Sequence, residues 1–255
     1  MNDLPVHPAI AKAAAAAAAL TKPATEAQPV EVWQVLDGNG IPVANASHVA
    51  ETLHGSLALF NPDGRKAMDA VYRDGVAHGP MQVFDEAGGL LQSAQRSHGQ
   101  VNGPSTTYYP SGKKMLEQHH VHGVLHGDAV MFSESGDVVS RRPYEAGHLH
   151  GEACYYMEGR LLRKERYRAG MLQGAVEDFL PDGKLSQLTP YKSNVIHGLL
   201  QRYWPNGQLM EEVDYREGKP AGGIKRFDVE GKEIAKPQVA GAGLLHNLER
   251  LVKGR

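Results

Sequence analysis

Cysteine is almost missing from this chain of 255 residues, with Cys154 the single one. That excludes an intramolecular disulfide framework and suits a reducing compartment. Aromatic residues make up only 7%, and no apolar run reaches the roughly 18–20 residues that a membrane-spanning helix needs. Neither charge sign is in excess. With 27 Lys and Arg against 29 Asp and Glu, net −2, nothing pulls the chain over distance toward nucleic acid, and an anionic membrane is a poor partner for it. No GxSxG, HExxH, Walker or GxGxxG arrangement stands in a suitable context. What is plentiful is glycine, 29 residues in a weakly hydrophobic chain. That combination builds many turns and no thick core.

The glycines are periodic. One series runs Gly55, Gly79, Gly103, Gly127, Gly151, Gly174, Gly198, Gly222, at steps of 24 with a single step of 23. A second runs in parallel from Gly64 to Gly231, and a third runs from Gly75 to Gly218 with Asn194 as its one replacement. Asn is the non-glycine residue that best tolerates positive φ, so the third column marks a left-handed backbone position. Aromatics keep the same period from Phe60 to Phe227, and a second aromatic column, Tyr72 to Tyr215, lapses only at Arg96 and His120. Each period reads as a β-hairpin. The turns "NPDG", "YPSG", "LPDG" and "WPNG" place Pro where φ is preset and Gly where a left-handed bulge follows.

A histidine–glycine pair, four residues, an aromatic, three residues and a glycine, then a further aromatic and glycine, resembles the MORN-variant repeat. "YWPNGQLMEEVDYREGKPAGG" (203–223) is the passage nearest to it, and the resemblance covers about 54–234. It departs from the pattern at Asn102, Gln173 and Ala221, which replace the histidine before the glycine. The repeat occurs in bacterial proteins labelled YwqK-type antitoxins. The resemblance therefore implies a bacterial antitoxin or immunity protein that binds a toxin or secreted effector.

The expected fold is all-β: an elongated, single-layer antiparallel meander of about eight 24-residue hairpin repeats, with short helices at both ends. Both faces of the strands carry mixed residues, which argues against a two-sheet sandwich. Four regions follow. Residues 1–29 hold the alanine-rich segment "PAIAKAAAAAAAL" (8–20), expected to be helical, and a linker. Residues 30–53 form a degenerate capping repeat that keeps Trp33 and the "DGNG" turn, residues 54–234 form the repeats, and residues 235–255 form an amphipathic capping helix. The N-terminal segment lacks the basic start of an export signal. A cytoplasmic tether is the first reading, and export is the weaker one. The C-terminal stripe Leu244, Leu245, Leu248, Leu251 and Val252 covers the last hairpin, or else pairs two copies.

Thirteen histidines invite a metal reading, but the repeat column His54, His78, His126, His150 and His197 spaces its members about 10 Å apart, too far to share an ion. His120 and His122 are expected to share a strand face, without other ligands to complete a set. Cys154 has no base positioned by a motif. No metal, cofactor or catalytic residue is expected. "RLLRKERYR" (160–168) with Arg141 and Arg142 is the densest basic feature, from which Arg141, Lys164 and Arg166 are taken, and Tyr109, Tyr155 and Trp204 point away from the aromatic column. These six are the candidate partner-binding residues, since Arg, Tyr and Trp dominate interface energetics. The function expected is a non-catalytic protein-binding module, most specifically a toxin-neutralising antitoxin. The alternative is a scaffold or assembly adaptor of a secretion or envelope apparatus.

Overall fold

The computed structural model describes residues 30–234. The helices expected over 8–20 and 243–255 lie outside the described residues. Within them all regular structure is β-strand in one antiparallel sheet, with no helix. Pairing follows chain order. Glu31–Leu36 pairs with Pro42–Val49, that strand pairs with Thr52–Phe60, and so on to Lys225–Phe227 against Glu233–Ile234. The first and last described strands each have one neighbour among the described residues, so the sheet is open. At about 4.8 Å per strand, its eighteen ladder positions extend roughly 80 Å along the hydrogen-bonding direction.

Two kinds of turn alternate along the ribbon. In the proline turns the chain closes with Asn61 N–H to Arg65 O at 2.7 Å and Gly64 N–H to Asn61 O at 2.9 Å, and Gly64 has φ +80°. The same pair of bonds recurs at Asp37–Ile41, which makes the degenerate first unit a hairpin as well. Between hairpins lie two-residue turns, as at Asp74–Gly75, with φ 51° and 78°. Two consecutive left-handed residues define the turn whose twist matches that of the flanking strands. Asn194, the replacement in the glycine column, indeed has φ 67°. The single 23-residue step has a local cause. At Met157↔Arg160 the longer turn is replaced by the two-residue turn Glu158–Gly159, which is one residue shorter.

The first glycine column sits opposite the second aromatic column: Gly55↔Tyr72, Gly127↔Tyr144, Gly151↔Tyr167, Gly174↔Tyr191 and Gly198↔Tyr215. Arg96 and His120 take the tyrosine's place opposite Gly79 and Gly103. These glycines are left-handed, with φ +108° at Gly151 and +112° at Gly198. A Cβ at Gly151 would lie 3.2 Å from Pro143 Cγ. The column breaks at Gly222, which has no positive φ and no neighbour within 4 Å of a built Cβ.

Burial separates the two faces more sharply than the sequence pattern implies. On the face that carries the tyrosines, a central row of short or medium side chains is buried. Leu57, Ala70, Ser105, Ala129, Ala153, Val176, Leu200 and Val213 all fall in it. These residues are buried within a single layer. At the N-terminal end the row belongs to an apolar cluster of Ala46, Leu53, Leu57, Met68, Ala70 and Val83. Toward the C-terminal end Ser140, Glu165 and Thr189 are buried on the same face, alongside Ala153, Val176, Leu200 and Val213. Both faces carry mixed residues, but burial is concentrated on the tyrosine face. Alanine, serine and glutamate give no common hydrophobic signal, so the row does not show as a stripe.

Candidate protein-binding surface

The polar part of the tyrosine face is built from strand alternation. Tyr155, Arg163, Glu165 and Tyr167 lie on it because Ala153↔Glu165 and Gly151↔Tyr167 fix the register. Glu165 is 9% exposed, and three donors converge on its carboxylate. Arg163 Nε donates to Oε1 at 2.7 Å, while the Tyr155 and Tyr167 hydroxyls donate to Oε2 at 3.0 and 2.8 Å. Burying a carboxylate is tolerable only when its lone pairs are filled in this way. Arg163 also reaches Asp178 Oδ1 at 3.2 Å in the next hairpin. Beyond it, Arg202 donates to Gln187 Oε1 at 3.0 Å and to Glu211 Oε1 at 3.2 Å, and Arg226 donates to Glu211 Oε2 at 2.9 Å. The hydrogen bonds thus step from hairpin to hairpin across one face.

The electrostatics follow from burial and from the carboxylate. Desolvation, then the hydrogen bond and charge of Glu165, push the Tyr155 hydroxyl up to about 12. The same causes in the same order push Tyr167 up further. Burial, followed by neighbouring His119, holds His120 below the usual imidazole range. Arg142 stands apart from the network. It lies across from Ala129, its Nε is buried without a hydrogen-bond partner, and among the described residues no carboxylate pairs with its guanidinium. Tyr144 lies two residues along the same strand, opposite Gly127.

The six residues expected from the sequence do not converge. Tyr155 alone lies on the face just described. Arg141, Lys164 and Arg166 lie on the opposite face, where Arg141 and Lys164 both pair in register with Cys154. There Arg141 bonds Asp128 at 2.7 Å, while Lys164 and Arg166 approach Glu152 at 3.6 and 3.7 Å. These are exposed pairs, each contributing little to stability. Tyr109 and Trp204 are in the proline turns. The Tyr109 hydroxyl donates to Phe132 O at 2.8 Å and Trp204 Nε1 to Phe227 O at 3.1 Å, so each ties its own turn to the next. Half-exposed Cys154 has its Sγ 3.8 Å from Glu152 Oε1.

The histidine column has a related structural use. Its residues sit beside the two-residue turn twenty positions on. His54 Nδ1 lies 3.2 Å from Asp74 Oδ1, and the His78 and His98 rings meet edge-on at 5.4 Å. Two of the three replacements do the same through their amides, since Asn102 Oδ1 accepts from His122 N–H at 3.0 Å and Gln173 Oε1 from Ser193 N–H at 3.1 Å. His122 is therefore a turn residue, φ 50°, and not the strand neighbour of His120 that parity implied. Among the described residues no group of three or more His, Cys, Asp or Glu is placed to hold a metal ion.

These hairpins share one register, one bulge glycine and one pair of turns, and that regularity is what the family comparison recognises. Residues 101–122 and 196–217 match the MORN repeat variant. The first MORN match spans the hairpin in which Gly103 faces His120, and the second spans the one in which Gly198 faces Tyr215. The intervening hairpins repeat the same facing pairs as these two MORN segments. No curated protein matches the chain. Arg142, Arg163 and Tyr167 stood in the basic feature and the tyrosine column without being taken as candidates, and Glu165 was not singled out. Counting two residues back from the tyrosine opposite each glycine finds Arg142 and Glu165, and that offset was the available signal.

Proposed function

We propose that this protein is a non-catalytic protein-binding module, and that its partner is a bacterial toxin or secreted effector which it neutralises by occupying a broad surface. The observation that carries the reading is the change of the tyrosine face from an apolar cluster near Leu57 to a polar, aromatic one between Tyr144 and Tyr215. Around a central row that stays apolar at Ala153, Val176, Leu200 and Val213, the Tyr and Arg side chains are of the kind that dominate interface hot spots. Arg142, which forms no ion pair among the described residues, is the member offered to a carboxylate of the partner. The choice of a toxin rests on the resemblance to antitoxins alone. A cytoplasmic setting goes with it.

The test is co-expression with the toxin encoded beside this chain's own reading frame. Cells survive with the wild-type protein and die when Arg142→Ala or Tyr144→Ala is substituted, with the variants still folded by circular dichroism. Death of cells carrying the wild-type protein sinks the toxin reading. A tagged pull-down that returns secretion or envelope components instead supports the scaffold.

A further inference from the structure

We propose that strand Glu31–Leu36 pairs with the same strand of a second copy, joining two ribbons end to end into one continuous sheet. This strand is hydrogen-bonded to Pro42–Val49 on one side, and among the described residues nothing pairs with its other side. Five of its six residues are exposed. Val32, Val35 and Leu36 are 69, 50 and 50% exposed, with Val30 beside them at 57%. Sheet edges left open in monomers are blunted by lysine, proline, bulges or extreme shortness. The sequence "VEVWQVL" (30–36) contains no lysine and no proline, and its only register shift is at its last residue, Leu36. The opposite end of the described sheet differs: Glu233–Ile234 has two residues, one of them charged, which is the blunted kind.

The occupant follows from the residues. A strand with one acidic side chain offers no charge pattern for a foreign acidic or basic segment, yet it complements itself. Antiparallel pairing about a two-fold axis through Trp33 keeps the same face up in both copies, since opposed residues then share parity. It sets Glu31 opposite Val35 and Val32 opposite Gln34, so no like charges meet. Trp33 is the half-buried member of the strand, its ring 3.5 Å from that of His48, and in this register the two indoles lie side by side. Main-chain bonds supply the affinity, as in strand addition generally.

The test uses the full-length chain. Sedimentation from low to high micromolar concentration shifts from the 27.7 kDa monomer to twice that mass, and amides 31–36 gain exchange protection in parallel. Val32→Lys with Gln34→Lys sets lysines opposite each other across the axis. Both positions are exposed in the single chain, so the fold survives and dimerisation weakens by about tenfold or more, as juxtaposed like charges demand. Three results overturn the proposal. The mass doubles equally in the double variant, or amides 31–36 are protected in the monomer by the chain's own remaining residues, or they become protected only when a different protein is added.

Discussion

Glycine to alanine at two positions of one sequence column should have opposite outcomes. Gly198 and Gly222 are the seventh and eighth members of the same series, but only Gly198 is left-handed, at φ +112°. There an alanine pays the steric penalty of an L-residue at positive φ, about 1–3 kcal/mol. Its Cβ also meets Pro190 Cγ at 3.3 Å and Cβ at 3.4 Å, a tight fit against a ring that has little room to yield. Together these give about 2–4 kcal/mol. At Gly222 there is neither strain nor contact, so Gly222→Ala stays within about 0.5 kcal/mol. Gly207→Ala, with φ +87° and open space, isolates the backbone component at about 1–2 kcal/mol. A repeat array need not unfold in one step, so a single unfolding free energy is the wrong readout. Amide exchange in the hairpin Gly198–Tyr203 and Leu209–Arg216 reads the local cost directly. A loss of 2 kcal/mol lowers protection by about thirtyfold. Equal loss in Gly198→Ala and Gly222→Ala refutes the reasoning, because it makes the column position and not the backbone geometry decisive.

Glu165→Ala strands two tyrosine hydroxyls and one side of Arg163, and lowers local stability by about 2–3 kcal/mol. Tyr155→Phe in that background then costs less than it does alone, which a double-mutant cycle by amide exchange measures. High pH is the second lever. Tyr155 and Tyr167 both titrate above the ordinary tyrosine value in the folded chain, so between pH 10 and about 12 the unfolded state loses protons that the folded state keeps. Stability falls across that window and is intact below it. The melting temperature of the Tyr155→Phe, Tyr167→Phe double variant falls less steeply there. Ala169 has φ 49° in a turn where Asn is preferred, so Ala169→Asn stabilises by about 0.5–1 kcal/mol, read as a rise in protection of the flanking amides.

The repeat, the hairpins and the left-handed turn column were legible in the residues because each depends on local backbone chemistry. Positive φ admits glycine and few others, so a marching glycine, with Asn194 as its only lapse, declares the conformation without any tertiary information. The shortened turn at Glu158–Gly159 is visible in the same way, as one missing residue. The binding face was not legible to the same degree. Bulges at the glycines and turns shift alternation, so His122 counted as a strand residue and Tyr155 was grouped with Arg141 and Lys164, which lie behind the sheet.

By itself, then, the order of residues determined an antiparallel succession of hairpins and where each one bends. Only the assembled sheet decided which face buries its side chains, that Arg142 finds no carboxylate among the described residues, and that Glu31–Leu36 has one neighbour among them. Those outcomes depend on neighbours ten to seventeen positions away, such as Tyr155 and Glu165 or Glu31 and His48, brought together by register. Alanine or glutamate carries no label for the company it will keep.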